Sequence, residues 1–133
     1  MRKIALALAA SAALLTGPVL EAKPRLTPQE RLDKLLDGRV AGEPRSCIST
    51  TDTRDMQVLD KTAIVYRSGS TLYVNVPRNA EDLDSDDIMV TKVYGSQFCR
   101  LDIVQTVDRT GHFPTGFISL GQFVPYKRVA AKD

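Results

Sequence analysis

One histidine, two cysteines and no apolar run of twenty residues are what this 133-residue chain has least of. Each shortage excludes a chemistry. A single histidine, His112, cannot make a metal centre that needs three or four ligands, even with Asp108, the nearest carboxylate in sequence. A serine triad has no G-x-S-x-G to present its nucleophile. The cysteines do not form a C-x-x-C, so disulfide exchange lacks a second thiol at close spacing. The longest apolar run, from Ile4 to Leu15, spans twelve residues, and a transmembrane helix needs roughly 20. No membrane span and no cofactor are therefore expected.

What that short run does match is a secretory signal. Arg2 and Lys3 supply the basic start, Gly17 and Pro18 break the apolar run, and Ala22 offers a small residue for cleavage. Residues 1–22 are expected to be a signal peptide, and the protein periplasmic or secreted. Cleavage there leaves 111 of the 133 residues, enough for one domain with one modest core. It also removes Arg2, Lys3 and Glu21, so 18 basic and 16 acidic side chains become 16 and 15, a net charge of +1. The two signs are interspersed, and the whole-chain pI of 8.6 lies below the ~9 usual for nucleic-acid binders. No nucleic-acid partner is expected.

Cys47 and Cys99 allow one intramolecular pairing, and in an oxidising compartment an even count reads as a disulfide. Closing the loop between them is worth roughly 4 kcal/mol on the chain-entropy model. The rival reading makes Cys99, in "FCRLD", a nucleophile. Asp102 would raise the pKa of a nearby thiol by like-charge repulsion, the wrong direction for a thiolate. The bridge is the expectation.

The chain then punctuates itself. Residues 23–26 are a polar leader expected to be flexible. In "TPQERLDKLLDG", Thr27 can cap a helix, Pro28 suits its first turn, Glu30 completes a capping box and Gly38 is a natural stop. Leu32, Leu35 and Leu36 fall on one face, which must dock on this domain's core or on a partner. From Cys47 onward the pattern is that of strands: "DMQVLD", "TAIVYR", "TLYVNV", "IMVTKVY", "LDIVQTVD" and "GFISLGQFVPY". Asp60-Lys61 and Ser68-Gly69-Ser70 mark hairpin turns. In "TLYVNV", Leu72, Val74 and Val76 alternate with Thr71, Tyr73 and Asn75, which fits a sheet buried on one side. The predicted fold is mainly β: a small antiparallel sandwich or partly open barrel of five to seven strands, with one N-terminal helix and one disulfide. It occupies residues 27–128 as a single domain, and residues 129–133 are expected to be a disordered tail.

Two motifs invite function. "DLDSDD", from Asp82, begins like an EF-hand loop, but its sixth residue is Asp87 where glycine is required and its twelfth is Val93 where glutamate is required. A solvated loop with Ser85 or Asp86 capping a short turn is expected, and no metal. Arginines and tyrosines supply the residue types that anchor interfaces. Arg67, Tyr73, Arg100, Arg109 and His112 are the candidate partner-binding residues, for an envelope protein or an anionic glycan. No catalytic residue is assigned.

Four segments, "LDGRVAGEPRSCIS", "TAIVYRSGSTLYVN", "TKVYGSQFCRLDIV" and "SLGQFVPY", together resemble a family of small exported proteobacterial proteins, particularly from sphingomonads, with no assigned function. The resemblance implies export and a Cys47–Cys99 bridge. It also implies a second cysteine pair in some members, where this chain reads "RNAEDL" and "GFISLG". The expectation is a monomeric, non-enzymatic binding or structural module of the cell envelope. A secreted inhibitor of a cell-wall hydrolase, presenting "TGHFPTG" or "YRSGST", is the first alternative, and a small hydrolase the second.

Overall fold

A computed structural model describes residue 14 and residues 16–129. Most of the expected signal peptide and of the C-terminal tail lies outside the described residues. Residues 16–26 are exposed and carry no regular structure.

The first element is the one the punctuation announces. Helix α1, Pro28–Leu36, starts at Thr27, whose hydroxyl accepts the Glu30 N–H while the Glu30 carboxylate accepts the Thr27 N–H at 2.7 Å. Leu32 is buried, and Leu35 and Leu36 pack beside it against the sheet, so the leucine face serves this domain's own core. Gly38 then turns the chain with a φ of +71°.

Ten strands follow: β1 Arg39–Ala41, β2 Cys47–Ser49, β3 Asp55–Leu59, β4 Ala63–Ser68, β5 Thr71–Asn75, β6 Asp87–Thr91, β7 Gln97–Cys99, β8 Ile103–Asp108, β9 Pro114–Ser119 and β10 Phe123–Arg128. Seven of them have five or six residues; β1, β2 and β7 have three and are too short to show a period in sequence. They form three antiparallel sheets, ordered β1-β10-β5-β4-β3, β2-β7 and β6-β8-β9. No barrel closes. The β4–β5 hairpin closes at Ser68 and Thr71, with Gly69 supplying the positive φ of +57°. "GFISLGQFVPY" holds two strands rather than one, because Leu120–Gln122 carries the chain from the three-stranded sheet into the five-stranded one.

The five-stranded sheet is the middle layer. One face packs Leu59, Ala63, Val65, Leu72 and Val74 against α1. The other packs Ile64, Tyr66, Tyr73 and Phe123 against Ile48, Phe98, Val104, Ile118 and Leu120 of the two smaller sheets and their connections. Tyr66, Phe98 and Phe123 form an aromatic cluster with ring centroids 5.8–6.2 Å apart. This corrects the one-sided burial expected for β5. Tyr73 and Asn75 are buried too, while Val76 lies past the strand end and is exposed. Burying the Asn75 amide is tolerable because both ends are paired: Nδ2 donates to the Gly121 carbonyl at 2.8 Å and Oδ1 accepts the Gly121 N–H at 2.9 Å. Only glycine fits there, since a Cβ on residue 121 would collide with the Val76 carbonyl oxygen.

Cys47 and Cys99 are direct cross-strand partners in β2-β7 and are disulfide-bonded across a sequence separation of 52. The bridge locks a sheet that has only three residues on each strand.

Candidate functional site

The C-x-x-D spacing around Cys99 is turn chemistry. The Asp102 carboxylate accepts the Cys99 N–H at 2.8 Å, and the Asp102 N–H donates to the Cys99 carbonyl at 3.1 Å. Leu101 takes a φ of +71° to close that turn and points an exposed side chain outward. Both sulfurs are in the bridge, so no thiol is available.

His112 is exposed in the β8–β9 turn, and its N–H donates to the Asp108 carbonyl. The Asp108 carboxylate accepts the backbone N–H groups of Thr110 and Gly111, which commits it to the turn. Among the described residues, no group of three or more His, Cys, Asp or Glu is placed to hold a metal ion. The acidic loop works in the same local way. Asp84, rather than Ser85 or Asp86, caps it by accepting the Asp86 N–H at 2.9 Å, and Asp60 accepts the Ser85 N–H at 2.6 Å. A cavity of about 450 Å³ is bordered by Asp82, Asp84, Asp87 and Asp108, and each of these carboxylates already accepts a hydrogen bond from its own surroundings.

The candidate partner-binding residues do not converge. Tyr73 is buried in the core and cannot face a partner. Tyr66 is buried as well, and desolvation pushes its hydroxyl pKa far above the ordinary value. Arg67 is exposed on β4, 3.7 Å from its cross-strand neighbour Asp55. Arg100 is exposed at the β7–β8 turn. Arg109 and His112 share the β8–β9 turn, where Arg109 Nε donates to the Asp86 carbonyl at 3.1 Å.

What the structure does gather is apolar. Along β6, β8 and β9 the cross-strand sets alternate between faces. Val104 and Ile118 point into the core, whereas Val90, Gln105 and Phe117 align on the opposite face. Ile103 lies on that outer face, flanked by Leu101 and Tyr94 from the adjoining turns. These residues border one open groove of about 900 Å³. Their exposures are 44% for Val90, 90% for Tyr94, 51% for Leu101, 54% for Ile103 and 60% for Phe117. At ~200 Å² per large side chain, the five together expose roughly 600 Å², interrupted by Gln105 between Val90 and Phe117 and near the upper end of what monomers usually leave open.

The two edges of this sheet differ. Residues 78 and 79 close the β9 edge: the Arg78 N–H donates to the Ser119 carbonyl, and the Asn79 side chain accepts the Ser119 N–H and donates to the Phe117 carbonyl. β6, the other terminal strand, pairs with β8 alone.

The groove escaped the sequence reading, although a signal was present. In "LDIVQTVD" both alternating sets contain β-branched apolar residues, Ile103 and Val107 on one and Val104 on the other. A strand with only one covered face has no structural need of the first set.

No family model, curated protein or solved structure matches the chain. The family resemblance therefore rests on the four quoted segments.

Proposed function

We propose that this is an exported, non-enzymatic binding module of the cell envelope, periplasmic or secreted, which engages a partner protein through the groove over β6, β8 and β9. The observation that carries this reading is the roughly 600 Å² of aromatic and aliphatic surface exposed on the outer sheet face and its adjoining turns, against the ~800 Å² that each partner contributes to a standard stable interface. Tyr94 and Phe117 are residue types that anchor such interfaces. The open β6 edge offers backbone groups to an extended partner segment, as in strand addition. The signal-like N-terminus and the Cys47–Cys99 bridge support an oxidising destination. The reading as a non-enzyme rests on what the reactive groups already do: both sulfurs are bridged, and Asp108 is held in its turn.

The inhibitor reading has one feature in its favour. The exposed turn containing His112 and Phe113 leads into Pro114, Thr115 and Gly116, which border the same groove. A cell-wall hydrolase would then be the partner.

Site-specific photo-crosslinking in the native compartment tests the proposal. With a photo-reactive residue in place of Phe117, a discrete adduct with another protein is expected, and none with the same residue in place of exposed Arg54. Adducts only between two copies of this chain would reassign the groove to self-association. The same adducts from both positions, or none from either, would overturn it.

A further inference from the structure

A second concave surface lies on the opposite side of the five-stranded sheet, where α1 crosses it. Arg31 and Lys34 of α1, Arg39 of β1, Arg67 of β4 and Arg128 of β10 border a cavity of about 360 Å³, with Leu26, Leu35 and Leu72 as its apolar lining. Five cations border one cavity. Arg39 and Arg128 are direct cross-strand partners, an arrangement in which like charges repel. Arg39 is held in place by donating to the Ser70 and Tyr126 carbonyls at 2.6 and 3.2 Å. Its pKa is lowered by desolvation and by the charges of Arg128 and Arg67.

One of the five, Arg67, has an acidic neighbour in Asp55. Glu30 is engaged in the helix cap and Asp33 accepts from Gln29. Among the described residues, the one ion pair is Arg67–Asp55, and both of its side chains are exposed. Surface charge of this kind contributes little to folding, so the cluster is better explained by a ligand than by stability.

We propose that this cavity is an anion-binding site for a small organic oxyanion, phosphate or carboxylate, whose charged end is gripped by Arg39 and Arg128 and whose carbon skeleton rests on Leu26 and Leu35. The Arg128 guanidinium presents paired N–H donors that match the two oxygens of either anion, while Arg39, its Nη1 committed to the Ser70 and Tyr126 carbonyls, offers its remaining N–H groups and its charge. The volume lies within the range of small-ligand sites, which exceeds the needs of a bare inorganic ion. The site is separate from the groove and stands whether or not the groove binds a protein.

The test uses the mature protein, pyrophosphate and citrate as probes, and backbone amide NMR at low salt. Saturable shifts confined to the cavity residues are expected with at least one probe, and the tighter one assigns phosphate or carboxylate as the natural group. Binding should weaken steeply between 20 and 200 mM salt, as a charge-driven contact does. Arg128→Gln should raise the dissociation constant about tenfold while leaving the melting temperature unchanged or higher, because it relieves the repulsion of Arg39. Lys34→Gln gives a second, independent loss. Non-saturating shifts spread over all surface lysines and arginines, or an unchanged affinity in Arg128→Gln, would overturn the proposal.

Discussion

The five-stranded sheet and the three-stranded β6-β8-β9 sheet obey the same alternation but have different second faces. In the middle layer both faces of β4 and β5 carry buried side chains: Val65 and Leu72 meet α1, and Tyr66 and Tyr73 meet the smaller sheets. In β9 one side is claimed, and Ile118 is fully buried, while its neighbour Phe117 is 60% exposed. Helix α1 makes the difference, since it covers one sheet and nothing in the described chain covers the other. A single exposed apolar side chain is ordinary, but several gathered on one face point to something outside the domain.

The contrast can be broken first where the covered side is strongest. Replacing Cys47 or Cys99 with serine should lower stability by roughly 4 kcal/mol, and by similar amounts, because either change frees the same loop. Alkylation and mass spectrometry of the exported protein should find no free thiol before reduction; a free thiol in the folded protein would remove the bridge from the account. Ile118→Ala should then cost about 2–5 kcal/mol in chemical denaturation, as a fully buried residue that leaves a cavity. Leu35→Ala, on the half-buried helix face, should fall at the lower end, about 2 kcal/mol. An unchanged midpoint for Leu35→Ala would mean that α1 is not fastened to its own sheet, and the distinction between the two sheets would disappear.

The local parts of this architecture were readable because their causes are local. Thr27, Pro28 and Glu30 lie within four residues and define the helix start, and Gly69 defines its hairpin within two. The Cys47–Cys99 bridge was readable from cysteine count and compartment. The three-residue strands were not, since β1, β2 and β7 owe their existence to partners more than 40 residues away in sequence. The burial of Tyr73 and Asn75 was missed for the same reason: their covering layer, from Phe98 to Leu120, follows much later in the chain. Asn75 reads as polar and solvated until Gly121 is known to satisfy it. The groove is harder still, because Val90, Tyr94, Leu101 and Phe117 come from separate segments and become one surface only after the sheet forms. Of the candidate residues named from sequence, Arg67 alone borders either proposed site, and it does so in the basic cavity rather than the apolar groove.

The measurement that tests the central claim most directly is the denaturation midpoint of Phe117→Ala, read beside that of Ile118→Ala. If the outer face is kept for a partner, Phe117→Ala shifts stability by no more than about 0.5 kcal/mol, as surface substitutions usually do, while its neighbour loses several. If Phe117→Ala is as destabilising as Ile118→Ala, that face is covered by the chain itself and the binding groove does not exist.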